Sequence, residues 1–198
     1  MMTSNFIVAN TIIKGEWSSV LDKLSFFKCD DYDLKNAITG VALKSESGTV
    51  NDLLRSKPVE KPEDYSFTKL YEHETIKSLV DVFELETTRI RIFKQKPNHE
   101  TSLHIDYNNT NSNKEDYLIR IWMALNSNKN FKYYFKDKNN NILNTVNLKK
   151  GQSVIFNPDT VYHGASNNSN ENRYSLNIIA KPNEWLRYFV ERKEVIKI

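Results

Sequence analysis

Arg173-Tyr174-Ser175-Leu176-Asn177-Ile178-Ile179-Ala180 alternates along its length. Leu176, Ile178 and Ala180 fall on one parity, and Arg173, Ser175, Asn177 and Ile179 on the other. On an extended backbone successive side chains point to opposite faces, so this segment reads as a strand with one apolar and one mainly polar face. An interior barrel strand that packs on one side and lines a ligand cavity on the other has this pattern.

Working outward, residues 89–93 alternate charge and bulk, 118–125 are long and apolar, and 131–135 are aromatic. Residues 146–148 and 153–156 continue a series of short strands separated by turn residues, the signature of a sandwich or barrel. Residues 137–141 read as a hairpin turn, because Asn tolerates the left-handed backbone such connections need. Asn157-Pro158-Asp159 makes a second corner, just ahead of His163. The polar run at 167–172 joins His163 to Arg173 and is expected to leave them on adjacent antiparallel strands.

Before residue 85 the pattern changes. Apolar residues at 17, 20, 21, 24 and 27 step by three and four, which predicts a packing helix, and 69–83 predict a second. Residues 37–43 read as a strand. Residues 46–64, with Pro58 and Pro62, read as a connecting loop placed to cover an open barrel end. A closing helix is expected from Glu184 onward. The expected class is mainly β with flanking helices, in one domain over 1–198. It divides into a helical N-terminal packing region at 1–84, a core barrel at 85–181 and a closing segment at 182–198.

With 198 residues the chain is long enough for one substantial core and short for two. The net charge is +3 from 28 basic and 25 acidic residues, and the cations are scattered, so nucleic-acid binding is not required. Cys29 is the single cysteine, which rules out an intramolecular disulfide and a Cys-rich zinc site. No apolar run approaches the roughly 20 residues that span a bilayer. The start lacks an export-signal pattern. The expected setting is cytoplasmic, away from membranes.

Chemistry concentrates at His104-Ile105-Asp106. In a strand, residues 104 and 106 share a face while Ile105 turns into the opposite layer, so an imidazole and a carboxylate can close on one metal ion. His163, 57 residues on, offers a second imidazole. Two imidazoles and a carboxylate form the facial set that holds non-haem Fe(II) with coordination positions open. Ten residues further, Arg173 shares a face with Ser175, where a guanidinium fork and a hydroxyl can grip one carboxylate. His-x-Asp alone is a weak signal. The other two histidines fit less well: His99 sits in a polar stretch beside Pro97 that reads as a turn, and His73 reads as a helix-end residue.

His104-x-Asp106, the distal His163 and then Arg173 resemble the motif of the 2-oxoglutarate- and Fe(II)-dependent dioxygenases. Arg89-Ile90-Arg91-Ile92-Phe93, Arg120-Ile121-Trp122 and Gly151-Gln152-Ser153-Val154-Ile155-Phe156-Asn157 extend the likeness toward the aspartyl/asparaginyl hydroxylase-like branch, which includes free-proline cis-hydroxylases. Strands of that branch often read Arg-x-His where Trp122 stands here. The resemblance implies a double-stranded β-helix, the jelly-roll or cupin-like barrel. It also implies Fe(II) on His104, Asp106 and His163, with 2-oxoglutarate and O₂ as co-substrates and ascorbate as a stimulant. Arg173 would hold the far carboxylate of 2-oxoglutarate with help from Ser175. Arg120 either lines the same cavity or closes an edge. The carboxylate at 106 argues against halogenation, whose enzymes leave that position small for chloride.

The implied reaction is hydroxylation of an unactivated C–H bond, with succinate and CO₂ as co-products. A free amino acid or similar small metabolite is the preferred substrate, since one barrel and two helices offer little to grip a larger partner. Two other readings stand beside it: a peptide or protein hydroxylase, and a metal-binding cupin-like protein without oxidative chemistry. Residues 107–116 read equally as a polar lid or a solvated connection. Trp122, Tyr133 and Tyr134 line the pocket or, as aromatic strand residues more often do, pack the core.

Overall fold

A computed structural model describes residues 6–29, 37–53, 61–106, 118–137 and 142–198. Its strands in chain order are β1 (Phe6–Lys14), β2 (Phe27–Lys28), β3 (Ile38–Ser45), β4 (Ser66–Phe67), β5 (Thr87–Gln95), β6 (His99–His104) and β7 (Ile119–Ala124). They continue with β8 (Phe131–Asp137), β9 (Leu143–Val146), β10 (Gln152–Phe156), β11 (Val161–Asn167), β12 (Arg173–Ala180) and β13 (Val195–Lys197). The α-helices are α1 (Ser18–Leu21), α2 (Glu74–Asp81) and α3 (Glu184–Glu191).

The first sheet runs β13-β1-β10-β7-β12-β5-β3-β2, with β4 also pairing β3, and the second runs β6-β11-β8-β9. From β5 onward the chain steps between them. Strands β5, β7, β10 and β12 belong to the first sheet, while β6, β8, β9 and β11 belong to the second. The fold is therefore the double-stranded β-helix, or jelly roll.

The alternation of β12 separates two environments. Leu176, Ile178 and Ala180 join Ile90 and Ile92 of β5 and Ile121 and Met123 of β7 in a large buried core. Helix α2 contributes Ile76, Leu79 and Val80 to this core, and α3 contributes Leu186, Phe189 and Val190. Both sets follow i, i+3, i+4 spacing, which aligns them on one helix face. Asn183 caps α3 by accepting the Leu186 N–H at 3.0 Å. A smaller aromatic core containing Trp122, Tyr133, Phe135 and Phe156 sits between the sheets.

Three expectations need correction. Residues 1–84 are not a mainly helical packing region, because β1 to β4 extend the first sheet at both sides. β1 is rich in β-branched residues, which favour a pleated surface over a helix. The helix expected over 17–27 ends at Leu21, and Phe27 pairs with Gly40. Trp17 earns its core position through burial and an indole bond to the Leu125 carbonyl at 2.7 Å, so its spacing reflects packing rather than a longer helix. In 69–83 the α-helix is confined to Glu74–Asp81, preceded by a 3-10 turn at Lys69–Glu72.

β11 and β12 also differ from expectation, since they lie in opposite sheets rather than side by side. Asn167 holds the chain at this crossing: its buried amide donates to the carbonyls of Gln95, Lys96 and Glu171 at 3.1, 3.0 and 2.7 Å. The hairpin residues 138–141 and part of the proposed cover, 54–60, lie outside the described residues. β8 and β9 do pair antiparallel, with the second strand at Leu143–Val146 rather than 146–148.

Candidate metal centre and its cavity

His104 ends β6 and stands directly opposite His163 of β11 in the sheet register. The imidazole centroids are 4.4 Å apart. Gly164 permits this approach, because a Cβ there would lie 2.7 Å from the Thr101 carbonyl oxygen on β6. The strand stops before Asp106, whose place is set by its backbone N–H donating to the Pro158 carbonyl at 3.0 Å. Thus the 157–159 corner that precedes His163 also anchors the carboxylate.

Asp106 Oδ1 lies 3.5 Å from His104 Nε2 and 3.8 Å from His163 Nε2. All three residues offer ligand atoms within 4.8 Å of one another. Each imidazole uses its other nitrogen on the backbone: Nδ1 of His104 meets the Ser102 carbonyl at 2.9 Å, and Nδ1 of His163 meets that of Val161 at 3.0 Å. An Nδ1–H donated to a carbonyl fixes the tautomer and leaves the Nε2 lone pair facing Asp106. Both imidazoles are thereby set as metal donors.

Electrostatics reinforces this donor set. Burial, and then the charge of Arg120, pushes His163 down to about 3, with Asp106 pulling the other way, so its ring is neutral near pH 7. Burial pushes the Asp106 carboxyl up, yet the cation of Arg120, followed by His163, His104 and Arg89, outweighs burial and holds it below the usual carboxylate value. A neutral imidazole beside an ionised carboxylate suits a divalent ion.

Arg120 is 5% exposed and reaches this cluster directly. Its Nη2 forms an ion pair with Asp106 Oδ2, and its Nη1 lies 3.3 Å from His163 Nε2. Its nearest charged neighbour is thus a candidate metal ligand.

Arg173 and Ser175 lie on the inward face of β12, and both line the cavity that also contains His104 and Arg120. Arg173 is 7% exposed. Its guanidinium carbon sits 4.7 Å from the Tyr133 ring centroid, and Nη1 donates to the Lys132 carbonyl at 3.4 Å. Among the described residues it has no carboxylate partner. Burial lowers its pKa and nearby Tyr133 opposes that, but a guanidinium remains charged. A buried cation over an aromatic face, open to a cavity, is a ready carboxylate receptor.

The cavity contains Asn177, on the expected inward parity of β12, and residues beyond the expected set, notably Gln95 and Thr101. Gln95 continues the inward parity of Arg91 and Phe93 and bridges the sheets, donating to the His99 and Ala165 carbonyls at 3.2 and 3.4 Å. That parity was the available sequence signal. Trp122 and Tyr133 belong both to the aromatic core and to the cavity wall, so the two alternatives for them were not exclusive. Tyr134 points elsewhere and its hydroxyl pairs with Ser166 Oγ at 2.8 Å. His99 opens β6 opposite Asn167 instead of lying in a turn, and His73 is the exposed N-cap residue of α2. Neither joins the ligand cluster. Residues 107–116 lie outside the described residues.

No protein-family model matches the sequence, and no curated protein matches it. Solved structures do share the fold. A prolyl hydroxylase from Trichoplax adhaerens, in complex with a hypoxia inducible factor peptide fragment, matches with a TM-score of 0.54 at 12% identity, over 94% of this chain and 87% of that one. An oxidoreductase of the 2OG-Fe(II) oxygenase family from Burkholderia pseudomallei matches with a TM-score of 0.52 at 12% identity, over 89% and 79%. At such identity the likeness concerns the jelly-roll architecture. Among the described residues no helix is long and apolar enough to cross a membrane.

Proposed function

We propose that this chain is a 2-oxoglutarate- and Fe(II)-dependent dioxygenase that hydroxylates an unactivated C–H bond of a free amino acid or similar small metabolite. The carrying observation is that one cavity is lined both by His104, a member of the His104–Asp106–His163 cluster, and by Arg173, which has no carboxylate partner among the described residues. The jelly-roll fold supports the same reading.

His104 and His163 would hold the ion through Nε2 and Asp106 through carboxylate oxygen. Bound iron supplies O₂ activation: one oxygen atom enters succinate as 2-oxoglutarate loses CO₂, and the other enters the substrate as hydroxyl. Arg173 would bind the far carboxylate of 2-oxoglutarate by charge-assisted hydrogen bonds, and Ser175 would add a hydroxyl donor. The Tyr133 ring beneath the guanidinium restricts its direction, while Trp122, backed by Phe135 and Phe156, makes part of the cavity wall apolar. The protein's part is to orient both reactants and exclude water from the reacting atoms.

Purified protein with Fe(II), ascorbate and 2-oxoglutarate is expected to form succinate slowly without substrate. Absence of succinate would leave a non-oxidative metal-binding protein. A panel of free amino acids set against peptides then identifies the substrate class by accelerated succinate release. Acceleration by peptides alone would move the reading to an aspartyl/asparaginyl-type protein hydroxylase.

A further inference from the structure

We propose that Arg120 is a positioning residue that holds Asp106 as a one-oxygen metal ligand and so preserves a coordination site. The inference rests on the metal reading above and concerns the way in which the carboxylate is used. The two oxygens of Asp106 face different groups. Oδ1 points toward both histidines, at 3.5 and 3.8 Å from their Nε2 atoms, whereas Oδ2 forms an ion pair with Nη2 of Arg120.

Arg120 is well placed to keep that division. It lies on β7, between β10 and β12, so its backbone is fixed on both sides. Its side chain is 6% exposed, against 15% for that of Asp106, so water competes poorly for the pair. The planar fork also brings Nη1 to 3.3 Å from His163 Nε2. That second contact uses the lone pair an ion requires and must yield on metal binding. The Nη2 contact uses the oxygen turned away from the histidines and need not.

The consequence concerns coordination number. Three single-atom protein donors leave three places on a six-coordinate ion, enough for a bidentate keto acid and O₂. A two-oxygen carboxylate would occupy one of them. Arg120 prevents this by engaging the second oxygen, and a guanidinium does so with fixed geometry that a flexible ammonium lacks.

The test uses Mn(II) alone, with the full chain and no 2-oxoglutarate. Electron paramagnetic resonance line broadening in ¹⁷O-enriched water counts the waters on the bound ion. Three waters are expected for the wild type and two for Arg120→Met, in which Oδ2 is released to the metal. A count of three in Arg120→Met overturns the proposal while leaving the metal site intact. A count of two in the wild type also overturns it, whether or not the variant folds. If the wild type binds no Mn(II) at this site, the metal reading itself fails, and this inference with it.

Discussion

The first sheet is backed on its outer face by α2 and α3 through a large aliphatic core, and no residue of the second sheet belongs to that core. The second sheet is held mainly from inside, by aromatic packing against the first. Yet the two sheets share the candidate site: the second supplies His104 and His163, the first Arg120, Arg173 and Ser175. Cations that are costly to bury therefore stand on the sheet with the stronger apolar backing. The candidate metal-ligand histidines stand on a sheet whose rigidity comes from neighbouring rings. Trp122 and Phe156 lie 5.3 and 4.8 Å from the His163 ring centroid.

This asymmetry predicts different outcomes for core truncations in the two places. Phe135 is fully buried between the sheets and packs against Phe156 at 5.2 Å. Phe135→Ala is expected to cost about 3–5 kcal/mol of stability by urea unfolding. It should also weaken Co(II) binding in calorimetric titration, because the ring shell around His163 loosens. Ile178, equally buried, faces the helices. Ile178→Ala is expected to cost about 2–5 kcal/mol, with Co(II) affinity unchanged in the folded protein. Equal losses of affinity would show that the two sheets respond as one body and that the distinction has no functional content.

The same asymmetry explains what could be read from sequence. β12 was visible because both its faces have consistent character, as did the inward set of Arg173 and Ser175. The clustering of the candidate ligands was visible because His104 and Asp106 are close in the chain and only two other histidines competed with His163. β6 was obscured by its polar, exposed residues, since a strand open to water on its outer side carries little hydrophobic periodicity. The opposite-sheet placement of β11 and β12 depends on Asn167, whose hydrogen bonds reach residues about 70 positions away. The contact of Arg120 with Asp106 likewise arises only when β7 faces the end of β6. Local spacing contains no term for such contacts.

On the first sheet, Arg173→Met removes the charge while keeping much of the side-chain length. Loss of two charge-assisted hydrogen bonds should weaken 2-oxoglutarate about 100-fold, at roughly 1.4 kcal/mol per factor of ten. Co(II) affinity should hold, which separates the anion receptor from the metal ligands. Retention of 2-oxoglutarate affinity in Arg173→Met would remove the carboxylate clamp from the site.

Tyr133 extends that clamp onto the second sheet and carries the smallest of these effects. Its hydroxyl is buried with no hydrogen-bond partner among the described residues, although its ring lies under Arg173. Burial raises its pKa, with Arg173 opposing, so near pH 7 it remains a neutral phenol able to donate. An unmet buried hydroxyl is a cost in the empty protein and a gain once an acceptor arrives. Tyr133→Phe should therefore leave unfolding stability unchanged or slightly higher, while weakening 2-oxoglutarate about tenfold, or about 1.4 kcal/mol. Lower stability with unchanged affinity would make the hydroxyl part of the packing alone. The clamp would then belong entirely to the first sheet, and the division between anion-holding and metal-holding sheets would be sharper than the cavity lining implies.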